Sequence, residues 1–351
     1  MNPATSTISQ ISSPESSTKR SPPWLPLELI SLILTELWEA QQTLAERSES
    51  LMNITLVNRT WLALFVRVTS RSVHISNPTS AEAFLRLLPE RTLMQGVSDL
   101  LTAEASKVAN QMCRSITFHV DGSVSPVSDP VANRTPATQV YSPSDAASTA
   151  VSTVLYMVTV LDQLPNLRHI TIEYKDWGYD DIFDQLRVQT FPPQVTHLSV
   201  NYSFTTPALA PLLIYLKSLY RRQDSSRIRI PNVRHLSLSS VPAEFIVDML
   251  QACPNVETLE VTDPARLDAL APLPPSVRTL VLRHPAVPIS RSQMMSWTLF
   301  TALEGGLFAR DVKSRIIIRS GTPDPVAFVE LRRSCRRFNA EILYERDDIL
   351  S

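Results

Sequence analysis

The sequence predicts an α/β chain in which a small N-terminal helical module precedes an irregular solenoid of parallel strands with outer helices. Apolar residues at helical spacing before residue 70 predict the module. A segment of the form apolar-x-x-apolar-x-apolar recurs along the second half, and helical patterns fill the gaps between recurrences.

Residues 1–23 are polar, contain Ser13-Pro14 and Ser21-Pro22, and have too few apolar side chains to form a core, so they are expected to be disordered. They also lack the apolar run of a secretory signal. The helical module is expected over residues 24–70. Pro26 suits a helix start, and Leu29, Ile30, Ile33, Leu34 and Leu37 then recur on one helical face. A polar stretch, Glu39 to Ser50, separates this helix from a second apolar segment in which Val57, Trp61, Leu64 and Phe65 again fall at helical spacing. The two stripes are expected to pack on each other or on a partner helix. A short strand follows over Ser72–Ile75, and another helix begins near Thr79 with Phe84, Leu85 and Leu88 inward.

The remainder, 71–351, carries the repeat. A strand is expected over Ser115–Val120, and then a disordered insertion over 121–148, rich in Pro and small polar residues. Ala146–Leu164 is the most apolar run, but Ser152, Thr153, Thr159 and Asp162 interrupt it, so it reads as a buried helix rather than a membrane span. The recurring segments are Leu164–Ile172, Pro193–Val200, Ile230–Leu238, Cys253–Val261 and Pro274–Leu282, spaced from about 21 to about 38 residues apart. Their last positions alternate apolar and polar, as a strand with one buried face requires. A proline near the start of each ends the preceding helix. Helices are expected over Pro207–Arg222, Pro242–Ala252, Ile289–Leu303 and Pro325–Arg337, and strands over Arg315–Arg319 and Glu341–Glu345 close the sheet.

Composition excludes several function classes. A formal charge of −1 offers no global attraction to nucleic acid or to anionic lipid. The chain holds only 6 glycines, with no glycine-rich phosphate loop after a strand, which argues against a nucleotide-binding α/β domain. No Gly-x-Ser-x-Gly or His-Glu-x-x-His pattern occurs, so neither an enzyme nor a cofactor is expected. Cys113, Cys253 and Cys335 lie too far apart for a zinc module or a disulfide framework and read as buried apolar residues of a reducing compartment. The arginine clusters Arg332, Arg333, Arg336, Arg337 and Arg221, Arg222, Arg227, Arg229 read as solvated faces, because no base-stacking aromatics interleave them.

With both halves in view, the chain resembles the F-box-like leucine-rich-repeat proteins abundant in fungi. The resemblance rests on Leu25-Pro26-Leu27-Glu28-Leu29-Ile30 with Ile33 and Leu37, on Ile54-Thr55-Leu56-Val57-Asn58-Arg59-Thr60-Trp61, and on Arg71-Ser72-Val73-His74-Ile75. It departs from the family pattern in the length of Glu39–Ser50, which leaves the geometry between the two halves open, and in Asn58, where the family often has cysteine. The resemblance implies an intracellular subunit, cytoplasmic or nuclear, that recognises substrates for a cullin-type ubiquitin ligase. Its helical module would bind a Skp-type adaptor and through it a cullin complex, anchored by Leu25, Pro26, Leu29, Ile33, Leu56, Val57 and Trp61.

The repeat domain would hold an unknown protein substrate on its open strand face, without nucleic acid or membrane. The candidate contacts are His169, Glu173, His197, Asn201, His235, Glu260 and Arg283, with Thr171, Ser199, Ser237, Ser239, Thr258 and Thr279 beside them. His169, His197 and His235 share one repeat position and so are expected to form a column; no carboxylate shares that column, so ordinary repeat filling is favoured over zinc. The alternative is a repeat scaffold for protein–protein interaction with no ligase role.

Overall fold

The structure is a computed structural model that describes residues 25–40, 42–88, 108–122, 146–179, 181–183, 191–206, 229–262, 264, 266–283, 295–309, 313–320 and 325–346. The tail 1–23, most of the insertion 121–148, the helix expected over Pro207–Arg222 and the first part of that expected over Ile289–Leu303 lie outside the described residues.

The N-terminal module is built from α1 (Leu27–Glu39), α2 (Leu44–Thr55) and α3 (Arg59–Arg71). α1 starts directly after Pro26, whose ring fixes φ near the helical value. Most of the stretch expected to be a polar separator between helices is itself helical. Thr43 and Glu46 close a capping box, each side chain accepting the other's backbone N–H, and this nucleates α2 despite its weak apolar stripe. α3 begins later than the apolar spacing suggested, leaving Val57 in the preceding turn. Asn58 decides that start: its side-chain oxygen accepts the backbone N–H groups of Thr60 and Trp61. Ile30, Leu34 and Trp38 from α1, Ile54 from α2 and Phe65 from α3 form a small core, with Trp61 and Leu64 packed on it. The Trp38 and Phe65 rings meet edge to face at 5.4 Å.

Among the described residues, the rest of the chain forms one nine-stranded sheet whose spatial order is the chain order: β1 (Ser72–Ile75), β2 (Ser115–Asp121), β3 (His169–Lys175), β4 (His197–Ser203), β5 (His235–Ser239), β6 (Thr258–Thr262), β7 (Thr279–Arg283), β8 (Ser314–Ser320) and β9 (Ala340–Arg346). Every neighbouring pair is parallel. Register follows the apolar alternation. Ile170, Leu198, Leu236, Leu259, Leu280, Ile316 and Ile342 stand in one column, and Ile172, Val200, Leu238, Val261, Leu282, Ile318 and Tyr344 in the next. A slip of one residue would turn either column to the other face, so the pattern fixes the pairing.

Over these columns lie α4 (Pro78–Leu87), α5 (Ala146–Val160), α6 (Ala243–Ala252), α7 (Leu299–Glu304), α8 (Pro325–Arg337) and 3-10 turns at Asp181–Phe183 and Leu267–Leu270. One continuous core results, including Val151, Val154, Leu155 and Val158 of α5, Phe245 and Met249 of α6, and Leu331 of α8. Cys113, Cys253 and Cys335 are buried in it as free thiols. No helix among the described residues is long and apolar enough to cross a membrane.

Candidate functional site

The first face is the outside of the helical module. On α1, Ile30 and Leu34 turn inward, while Leu29, Leu32 and Ile33 lie on the opposite side and are 46–55% exposed. Leu25 is 49% exposed, and Pro26 is exposed beside it. In the turn between α2 and α3, Leu56 is 83% and Val57 is 53% exposed. Asn58, by capping α3, holds this turn outside both helices. Trp61 differs from the other expected anchors: it is half-buried against the module's own core. Apolar side chains of this size concentrated on a module with a closed core mark a surface that another molecule can cover.

The second face is the side of the sheet away from the helices. His169, His197 and His235 form the expected column, one strand apart. The His169 and His197 rings are tilted at 34° with centroids 4.2 Å apart, and the His197 and His235 rings stack 4.1 Å apart, nearly parallel at 6°. His197 Nδ1 lies 2.9 Å from Thr196 Oγ1, and no metal-binding group of His, Cys, Asp or Glu occurs among the described residues. Burial, with His169 and His235 alongside, pushes His197 down to about 4; burial also lowers His169. These two imidazoles are therefore neutral at pH 7.

Glu260 and Arg283 are brought together with Arg319. Arg319 donates from Nη1 to Glu260 at 3.1 Å and from Nε to Glu345 at 2.9 Å, and Arg283 approaches the other Glu260 oxygen at 4.0 Å. In the middle column the polar Thr171, Ser199 and Ser237 give way, beyond Glu260, to Val281, Ile317 and Leu343. Val281 and Ile317 are buried although they face away from the helices. Asn201 pairs in register with Glu173 and Ser239.

Glu173 is not a freestanding surface carboxylate. It belongs to a chain of contacts joining the helical module to the sheet. Trp38 Nε1–H donates to the Ser72 carbonyl at 2.7 Å, and its ring meets that of His74 edge to face at 5.5 Å. His74 Nδ1 lies 3.0 Å from His119 Nε2, and His119 Nδ1 lies 2.8 Å from Glu173 Oε2. Arg47 closes the far side, donating to the carbonyls of Trp38 at 2.6 Å and Ala40 at 3.3 Å, with its guanidinium 5.0 Å from the Trp38 ring centroid. Burial, then the charges of Arg47 and His119, push His74 down to about 3. With His74 neutral, one tautomer set satisfies the chain: His74 donates to His119, and His119 donates to Glu173. The hydrogen bond from His119 is the main cause holding Glu173 below the usual glutamate value, with the charge of Arg47 adding to it.

Sequence reasoning missed this junction. Arg47 lay in a stretch read as polar spacer, although the Thr43-x-x-Glu46 signal marked a helix there. His74 and His119 each stand between apolar neighbours in a strand, Val73 and Ile75 or Phe118 and Val120, so alternation alone could place them on the open face but not against each other. Their meeting required the pairing of β1 with β2, across residues that carry no copy of the repeat.

Comparison with protein-family models, with curated proteins and with solved structures found no match for this chain.

Proposed function

We propose that this chain is a substrate-recognition subunit of a cullin-type ubiquitin ligase, with an F-box-like module that docks a Skp-type adaptor and a leucine-rich-repeat-like solenoid that presents a target. One observation carries the reading. Leu29, Ile33, Leu56 and Val57, named as anchors by the F-box resemblance, stand exposed on a module whose own core is already filled by Ile30, Leu34, Trp38, Ile54 and Phe65. They are not needed to fold the module, and covering them would remove apolar surface from water at roughly 25 cal/mol per Å². The polar columns of the open sheet face supply the second binding surface. In this reading the chain performs no chemistry; it brings a bound target within reach of subunits that transfer ubiquitin.

The test is affinity purification of the full chain from its native cell, with and without proteasome inhibition. The reading expects a Skp-type adaptor and a cullin in both samples, and a target enriched under inhibition. Partners recovered with neither adaptor nor cullin would instead favour a repeat scaffold with no ligase role.

A further inference from the structure

The strands begin on a rim that carries a row of arginines. Successive backbone hydrogen bonds define the row: Arg114 N–H donates to the Arg71 carbonyl, Arg168 to Arg114, Thr196 to Arg168, Arg234 to Thr196, Glu257 to Arg234 and Arg278 to Glu257. These residues are therefore rungs of one ladder, about 4.8 Å apart. Arg71, Arg114, Arg168, Arg234 and Arg278 are all exposed. Arg71, Arg114 and Arg168 occupy consecutive rungs, an arrangement of like charges that disfavours itself unless anions are near. Compensation within the chain is small. Arg234 pairs with Glu257, and Arg168 donates only to the carbonyls of Pro165, Leu167 and Gln194. Among the described residues, Arg71, Arg114 and Arg278 have no carboxylate partner; Glu28 shares a shallow groove with Arg71 without pairing to it.

We propose that this rim binds an acidic, carboxylate-rich segment of a polypeptide lying across the strand starts. The proposal rests on the receptor reading only in taking that segment to belong to the target. Charge spacing selects the occupant. Arginines in single file match single charges distributed along an extended chain, whereas one phosphate calls for donors that converge on a point. A nucleic acid would demand aromatic platforms between the cations, and the positions between them are Thr196 and Glu257. His169 and His197, the two neutral imidazoles beside the row, add hydrogen-bonding groups without adding charge.

The experiment is fluorescence anisotropy on the full chain at low salt, with a labelled Glu-Ser repeat peptide of about 12 residues, long enough at roughly 3.3 Å per residue to span the row. A Lys-Ser peptide of equal length and a single-stranded DNA oligonucleotide are run beside it. The acidic peptide should bind, weaken as salt rises, and lose about tenfold or more in affinity with Arg114→Glu, a loss of at least ~1.4 kcal/mol. Arg114→Gln keeps a long polar side chain and should weaken binding less while melting like the parent. Arg332→Glu, on α8, should leave binding unchanged. Failure of the acidic peptide to bind, tighter binding of the DNA, equal binding by the Arg114 variants, or an equal loss with Arg332→Glu would each overturn the proposal. Adaptor capture by Arg114→Glu is scored separately: it should persist, and its absence from the parent chain as well would remove the ligase reading while leaving the rim's ligand class standing.

Discussion

His119 of β2 donates to Glu173 of β3 at 2.8 Å, and through its other ring nitrogen it meets His74 of β1, against which Trp38 of the helical module is packed. A carboxylate on the open sheet face is thereby linked, contact by contact, to the helices that carry the proposed adaptor anchors.

Replacing His119 by Phe keeps a ring of similar size and removes both hydrogen bonds. His74 and Glu173 would each lose a partner in a half-buried site, and stability should fall by about 1–3 kcal/mol. Asn201→Ala, on the same face, should stay within about 0.5 kcal/mol of the parent. Denaturant unfolding of both variants measures the difference.

The same junction sets a pH dependence. His74 is pushed from its ordinary value of 6.5 down to about 3, so below pH 6.5 the unfolded chain takes up a proton that the folded chain refuses. Glu173 is lowered from 4.5, so its contribution is complete above pH 4.5 and is lost as pH falls further. His197, pushed to about 4, acts in the same sense as His74. Melting temperature should therefore fall between pH 7 and pH 5, and His74→Phe should make that fall shallower. A parent chain equally stable at both values would contradict the assignment of neutral, half-buried imidazoles.

Burial pushes the thiols of Cys113, Cys253 and Cys335 up to about 12, and each is at most 1% exposed. None should react with an aromatic disulfide reagent in the native state at pH 8, and all should react once denaturant is added, because only the thiolate attacks. Rapid labelling of one thiol in the native state would place that cysteine outside the core.

Much of the sheet was legible in the sequence because its signal is local. Ile170 and Ile172, or Leu236 and Leu238, alternate with polar residues within a few positions, and parallel register then follows from burying one face. The strand Ser72–Ile75 and the helix Pro325–Arg337 fall where their patterns placed them. The start of α3 was not legible from apolar spacing, because a single side-chain cap at Asn58 overrode the spacing of Val57 with Trp61. Within the candidate site, the histidine column could be read from repeat alignment, since equal repeat positions become neighbours. Glu173 could not be placed in the same way, because its partner His119 lies on a strand outside the alignable repeats. The arginine row was visible as the dipeptides Arg168-His169, Arg234-His235 and Arg278-Thr279, but only the ladder of backbone hydrogen bonds shows that Arg71 and Arg114 extend it.

The central claim is that the exposed apolar surface of the helical module is an adaptor-docking surface. The most direct measurement is titration of purified Skp-type adaptor into the full chain and into a variant carrying Ile33→Glu and Val57→Glu, with a melting curve for each. Both positions are exposed, so the variant should fold and melt close to the parent. A charge forced into an apolar interface without a partner costs several kcal/mol, and each ~1.4 kcal/mol is tenfold in affinity. The account predicts binding by the parent and a loss of about a hundredfold or more in the variant. A folded parent that does not bind adaptor, or a variant that binds it as tightly as the parent, would contradict it.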